Sequence, residues 1–160
     1  MIDHPLLLER LELGLAGLGY WGPNLARNFD DVANLAWLCD LSPDLLDQFG
    51  TRYPNARTTD RFDDLLEDSS VQAVVIATPV PTHYELARRA LSAGKHVFVE
   101  KPPALTGTEA DELVALAEER ELVLLPGHLL LYHPAIAKLQ GLVDAGELGD
   151  ILYIYGNRQN

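Results

Sequence analysis

An α/β fold, a doubly wound parallel sheet of about six strands, is the class this 160-residue sequence predicts. Three observations predict it. Short β-rich runs alternate with stretches of helical pattern along most of the chain. One run, VQAVVIA over Val71 to Ala77, is nearly continuous in apolar residues, as a parallel strand covered on both faces must be. A glycine cluster follows the first run and opens the first helix.

The elements follow in order. Leu11 to Ala16 reads as the first strand, with a helix after the glycines over about Pro23 to Phe29. Ala33 to Cys39 is the second strand. Ser42 caps the next helix, whose first residue is Pro43, the position where a missing N–H costs least. Asp60 starts a short helix. Val71 to Ala77 counts as the fourth strand, and no residues are assigned to the third. Thr82 and Glu85 have the spacing of a capping box for the helix that Gly94 stops. His96 to Val99 is the fifth strand. Thr106 and Glu109 form a second capping box, leading a helix to about Arg120, and Leu122 to Leu125 is the sixth strand.

Six strands complete one domain by about residue 127. Beyond it, His133 to Ala145 reads as a helix with Pro134 in its first turn and Gly146 after it. Ile136, Leu139, Leu142 and Val143 share one side. Asp150 to Tyr155, DILYIY, reads as a strand with no partner left in the first sheet. Residues 128–160 are therefore expected to be a linker helix and the first strand of a second domain that the chain lacks.

Composition narrows the class of partner. The chain carries 24 acidic residues against 12 basic ones, a formal net charge of −12, which argues against a nucleic-acid or anionic-membrane partner. Cys39 is the only cysteine, so an intramolecular disulfide is impossible and a cysteine-based zinc site is disfavoured; no metal is expected. The N-terminal MIDHPLLLERLE lacks a basic leader, and its apolar run extends only from Leu6 to Leu8. With no apolar stretch of membrane-spanning length, a cytoplasmic protein is expected.

Gly17, Gly19 and Gly22 in GLGYWG fit G-x-G-x-x-G between a predicted strand and a predicted helix. Gly17 permits the tight turn, Gly19 lets backbone approach a pyrophosphate, and Gly22 lets helix and strand pack closely. Tyr20 and Trp21 lie inside the motif and count with it as cofactor contacts. The helix N-terminus offers free N–H groups to phosphate. Asp40 closes the second strand, 21 residues after Gly19. A carboxylate there accepts hydrogen bonds from ribose hydroxyls and repels a 2′-phosphate, so NAD is favoured over NADP. Ser42 and Arg52 are nearby groups able to soften that preference. This glycine turn, helix and acid are the features of a Rossmann-type nucleotide-binding domain.

Ligands in this fold lie beyond the carboxyl ends of the strands. Thr78 and Pro79, in ATPVPTH, are placed to pass close to the cofactor, whereas Pro81 and Thr82 read as loop and cap residues. His83, in the first turn of the following helix, either touches ligand or fills space. Glu100 and Lys101 end the fifth strand ahead of Pro102 and Pro103, placing an ammonium where nicotinamide and substrate would meet. Desolvation lowers a lysine pKa, so Lys101 is the candidate catalytic group, able to donate to a substrate hydroxyl or exchange a proton with it.

Together GLGYWG, Asp40, ATPVPTH, AGKHVFVEKP and the tail GHLLLYHPAIAKLQGLVDAGELGDILYI resemble the N-terminal domain of the glucose-fructose oxidoreductase / inositol 2-dehydrogenase family, Gfo/Idh/MocA. GLGYWGPNLARNF and GHLLLYHPA are most similar to the branch acting on nucleotide-linked sugars, the 3-dehydrogenases. The resemblance implies NAD(P)-dependent oxidation or reduction at a sugar or cyclitol carbon. It matches Lys101 to the lysine of an E-K-P motif that contacts the reacting hydroxyl and nicotinamide. It sets His128 near the active-site mouth with Tyr132 one turn on, although either side chain has an equal reading as packing between domains. Pro103 departs from the aliphatic residue more usual there. The family's second domain, a mixed sheet that binds substrate and supplies a catalytic histidine, is not found in these residues.

Two further readings stand beside an oxidoreductase domain that is incomplete as a catalyst. One is a non-catalytic NAD-binding or interaction module; the other is a site completed by a separate chain or a second copy. The alternating Ile151, Tyr153 and Tyr155 against Leu152 and Ile154 predict a homo-oligomer formed through the exposed edge of the last strand.

Overall fold

The computed structural model describes residues 10–157, so the Leu6 to Leu8 run lies outside the described residues. The described chain divides into two compact units, one ending at Gly127 and the other starting at His128.

The first unit is built on six parallel strands: β1 (Glu12–Ala16), β2 (Asn34–Cys39), β3 (Arg57–Thr59), β4 (Ala73–Ile76), β5 (His96–Val99) and β6 (Leu124–Pro126). Their order across the sheet is β3-β2-β1-β4-β5-β6, the doubly wound arrangement. Chain direction reverses its lateral progress between β1 and β4, so the connections after these two strands leave on opposite faces and open a crevice at their carboxyl ends.

Five helices cover the sheet: α1 (Gly22–Val32), α2 (Pro43–Arg52), α3 (Phe62–Glu67), α4 (His83–Ser92) and α5 (Gly107–Glu119). The period-2 alternation of strand side chains divides the core into two layers. Leu13, Leu15, Leu35, Leu38 and Val75 pack with Ala26 of α1 and Phe49 of α2. Ala16, Val74, Ile76, Val97 and Val99 pack with Leu65, Leu91 and Leu113 from the other three helices. Phe98, pointing opposite to its strand neighbours, meets Phe29 edge-to-face at 5.4 Å.

Helix ends follow the sequence in three places. The Ser42 hydroxyl accepts from Leu45 N with Pro43 starting the helix. Both arms of the Thr106–Glu109 capping box are present. Gly94 takes φ +77, and Lys95 N donates back to Ala90 O, closing α4 in the left-handed conformation that glycine adopts without strain. One expectation is corrected. Thr82 is not a side-chain cap and forms no box with Glu85; residues Val80–Thr82 form a 3-10 turn ahead of α4. The Thr82 hydroxyl donates to Pro79 O and meets Thr78 Oγ1, while Glu85 turns to Arg88.

The third strand, left without residues on the sequence, is Arg57–Thr59, too short and polar to show periodicity. It forms because β2 offers a ladder: Trp37, Leu38 and Cys39 pair with Arg57, Thr58 and Thr59.

The second unit contains a 3-10 turn, Leu129–Tyr132, and α6 (Pro134–Asp144), which the His133 imidazole caps through Ala135 N. The strand expected over Asp150 to Tyr155 is corrected: residues 151–157 carry no strand pairing. A strand is defined by its neighbour's hydrogen bonds, and among the described residues none is paired with this segment. Every described residue of this unit is exposed except Leu142.

Candidate functional site

The carboxyl ends of β1, β2, β3 and β4 frame a cleft of about 710 Å³. Its floor is the glycine loop. Gly17 follows β1 at φ +94, and a Cβ there would stand 2.5 Å from the carbonyl carbon of Ala77 and 2.6 Å from Thr78 N. No side chain fits, and the loop can lie against the end of β4 only because this residue has none. At Gly22 a Cβ would stand 2.6 Å from Gly17 O, so the first turn of α1 packs directly onto the loop. Over Gly19 there is open space for 4 Å. A close approach at Gly17 and at Gly22 and open space over Gly19 are thus what this loop presents.

The N-terminus of α1 faces this loop with Trp21 as its cap residue, making no side-chain hydrogen bond, and with no acidic residue in the first turn. The positive end of the helix is therefore left to an external anion. Tyr20 and Trp21 line the cleft beside it, edge-to-face at 5.6 Å, with Tyr20 90% exposed.

Asp40 sits half-buried at the end of β2, and its carboxylate joins two loops. Oδ2 accepts from Leu18 N at 2.7 Å and Oδ1 from Ser42 N at 2.9 Å. The acid thus holds the glycine loop in place while each oxygen keeps a lone pair for a further donor. Behind it, burial and then the charges of Asp40, Asp60 and Asp64 push the Cys39 thiol up to about 12, which keeps it protonated and unreactive.

The cleft therefore brings together Gly17, Gly19, Tyr20, Trp21, Asp40, Thr78 and Pro79 among the residues singled out on the sequence. It adds others that the sequence reading passed over: Leu41, Leu45, Asp60, Phe62, Thr82 and Leu86. Asp60 follows the strand that the sequence did not show, and Thr82 had been explained as a cap. Among the described residues, none lining the cleft is a lysine, arginine or histidine.

Six candidates are placed elsewhere. Gly22 lies under the loop. His83 is 1% exposed, with Nδ1 2.7 Å from Pro102 O and Nε2 2.7 Å from Thr78 O. It ties the segment after β4 to the segment after β5. Glu100 is buried, with Oε2 accepting from Lys101 N and Oε1 without a hydrogen-bond partner among the described residues. Lys101, joined to Pro102 by a cis peptide bond, is exposed. The desolvation invoked for it is not supplied by these residues, and it forms no ion pair with Glu100 among the described residues. His128 and Tyr132 belong to the second unit, where both are exposed.

Residues 11–128 match the family described as "Oxidoreductase family, NAD-binding Rossmann fold", Gfo/Idh/MocA. The chain belongs to this family. It is 35% identical over 130 residues to the UDP-N-acetylglucosamine 3-dehydrogenase of Acidithiobacillus ferrooxidans, covering 81% of this chain and 41% of that protein. The scyllo-inositol dehydrogenase of Lactobacillus casei, solved with NAD(H) and scyllo-inositol, superposes with a TM-score of 0.81 at 27% identity, covering 89% of this chain and 43% of that one. A 3-ketoreductase from Actinomadura kijaniata, solved with NADP and TDP-benzene, superposes at 0.77 with 28% identity, covering 86% of this chain and 43% of its own. This Gfo/Idh/MocA chain thus spans between about a quarter and two fifths of the length of the curated relatives it matches. Among the described residues, no helix is long and apolar enough to cross a membrane.

Proposed function

We propose that the cleft binds NAD and that the chain serves an oxidoreductase acting on a hydroxyl-bearing carbon of a sugar, nucleotide-sugar or cyclitol. One observation carries this reading. At the β1/β4 switch point an unobstructed glycine loop, an uncapped helix N-terminus and a half-buried Asp40 converge on one cleft. The relatives add the substrate class, since those cited act on or bind sugars and cyclitols.

The residues fit the cofactor. Gly19 and the first turn of α1 hold the pyrophosphate by backbone N–H groups, which the absence of any basic lining residue makes necessary. Asp40 accepts the adenosine ribose hydroxyls, and its charge selects against a 2′-phosphate. Thr78 and Pro79 bound the far side. NAD held there would supply a nicotinamide ring for hydride transfer to or from the carbinol carbon. Lys101 holds the hydroxyl of that carbon by its ammonium, and Glu100 supports the backbone N–H of Lys101. His83 keeps the two strand-end segments at a fixed separation by its paired contacts to Thr78 and Pro102. His128 and Tyr132 are assigned to the substrate side, and residues 128–160 to the opening of a substrate-binding domain.

A second reading, a dinucleotide-binding module without turnover, is favoured by one feature. The cleft is lined wholly by residues between Ala16 and Leu86, so cofactor binding does not require Lys101. The 151–157 segment, exposed and without strand pairing among the described residues, further suits pairing with another copy of the chain.

Calorimetric titration with NAD and with NADP tests the cofactor assignment. NAD binds in the micromolar to millimolar range and NADP more weakly, and Asp40→Ala loses NAD affinity at least tenfold. Binding of neither dinucleotide would remove the assignment.

A further inference from the structure

His83, the first residue of α4, is 1% exposed, and each of its ring nitrogens lies 2.7 Å from a backbone carbonyl oxygen, Nδ1 from Pro102 O and Nε2 from Thr78 O. A carbonyl oxygen only accepts. A neutral imidazole carries one N–H and one bare nitrogen, so in that form one of the two contacts would set lone pair against lone pair. Turning the ring over does not relieve this. It would bring ring carbons to the same two oxygens, well inside the roughly 3.3 to 3.6 Å of a C–H···O contact. Two carbonyl oxygens at 2.7 Å, the length of a charge-assisted N–H···O bond, call for two N–H donors. Only the imidazolium has them.

A buried cation needs a counter-charge, the more so at a helix N-terminus, whose dipole opposes it. The charged and titratable groups on the elements around the ring are mostly engaged elsewhere or exposed. On α4, Tyr84 donates to Glu112 of α5, Glu85 pairs with Arg88, and Arg89 pairs with Asp63 of α3. On α5, Glu109 closes its capping box, while Asp111, Glu118 and Glu119 are exposed. The β4 residues, AVVI, bring none, and His96 at the start of β5 accepts from Val123 N. Glu100, just past the end of β5, differs. It is 5% exposed, and Oε1 has no partner among the described residues. Its Oε2 accepts from Lys101 N, and the carbonyl of the next residue, Pro102 O, is the one that His83 holds. The backbone of Lys101 thus runs between the two.

We propose that His83 is an imidazolium balanced by the Glu100 carboxylate, and that these two buried charges position Lys101 relative to Thr78. No ion pair joins them among the described residues, so they attract across the segment that they hold. The use made of Lys101 rests on the function proposed above; the charge of the ring does not.

Long-range proton–nitrogen spectra of the isotope-labelled chain read each ring nitrogen directly. At pH about 7 both nitrogens of His83 resonate as N–H donors. Loss of the signal in His83→Gln assigns it; if that variant does not fold, substituting His4, His96, His128 and His133 in turn assigns it by elimination. One N–H and one bare nitrogen in the unaltered chain overturns the proposal. The Glu100 carboxyl carbon, read at the same pH, has the resonance of an ionised group, and a protonated carboxyl there overturns the counter-charge. As the pH is raised until the second ring proton leaves, the Lys101 amide resonance shifts in the same step. A Lys101 amide that stays in place while the ring titrates overturns the positioning role. None of these readings needs a dinucleotide, so a chain that fails to bind NAD removes the function proposed above and leaves the charged ring standing.

Discussion

Single residues decide whether the cleft exists. Gly17 combines a positive φ with a Cβ position 2.5 Å from backbone carbon, and backbone cannot swing aside as a flexible side chain can. Gly17→Ala is expected to destabilise the chain by about 2 kcal/mol or more and to abolish dinucleotide binding. A urea titration with unchanged midpoint would show that the loop has another place to go. Asp68 acts at the opposite end of the sheet. Its carboxyl lies well below the ordinary carboxylate range, held there first by the Ser70 hydroxyl, then by the Trp37 indole, with Arg57 also paired to it. A group with a depressed folded pKa contributes stability above its unfolded value, near 3.9, and loses that contribution as pH falls toward the folded value. Urea midpoints should therefore drop between about pH 5 and pH 3, and Asp68→Asn should flatten that limb. An identical acid limb in the variant would assign the loss to other carboxylates.

Elements differ in how far their own residues specify them. Thr106 and Glu109 make a complete box, with Glu109 N donating to the threonine hydroxyl and the Glu109 carboxylate accepting from Thr106 N. Thr106→Ala should cost about 1 kcal/mol, seen as a thermal midpoint lower by roughly 3 to 6 °C, while NAD affinity stays unchanged because α5 contributes nothing to the cleft. An unshifted midpoint would mean that packing of Leu113 and Ala117 alone holds the helix start. Thr82 and Glu85 have the same spacing and do not form a box. There the backbone of Thr82 is helical, φ −99 and ψ −11, because Val80–Thr82 already turn as a 3-10 segment. A capping box needs an extended cap residue, and Thr106 at φ −128, ψ 155 has that conformation. Spacing identified both pairs; backbone conformation separated them.

The whole molecule shows one unit with two packed core layers and another with almost none. Among the described residues, all of the buried apolar ones lie between Leu13 and Ala117, whereas Leu152, Tyr153, Ile154 and Tyr155 are each more than 80% exposed. Backbone groups over 151–157 have no ladder partner, and a second copy could supply one by strand addition. Sedimentation at micromolar concentration should accordingly show a dimer or larger assembly. A monomer there, with these residues present, would remove the homo-oligomer reading.

Local pattern determined much of this protein. The strands β1, β2, β4, β5 and β6, the glycine loop, Asp40 and the fold class all follow from residues close together in the chain, because periodicity and turn chemistry are local properties. The tertiary structure decided what depends on neighbours distant in sequence. Arg57–Thr59 became a strand only through the edge of β2, and Asp150 to Tyr155, with no paired neighbour among the described residues, did not become one. His83 contacts Thr78 and Pro102, residues whose approach its own neighbours in the chain do not show. Lys95, inside AGKHVFVEKP, looks like any surface lysine until the fold buries it and points its ammonium at the carbonyls of Asp68 and Val71. Asp60 entered the cleft by the same route, carried there by a strand with no signal of its own. Burial and pairing are pairwise quantities, and only the folded chain fixes both members of the pair.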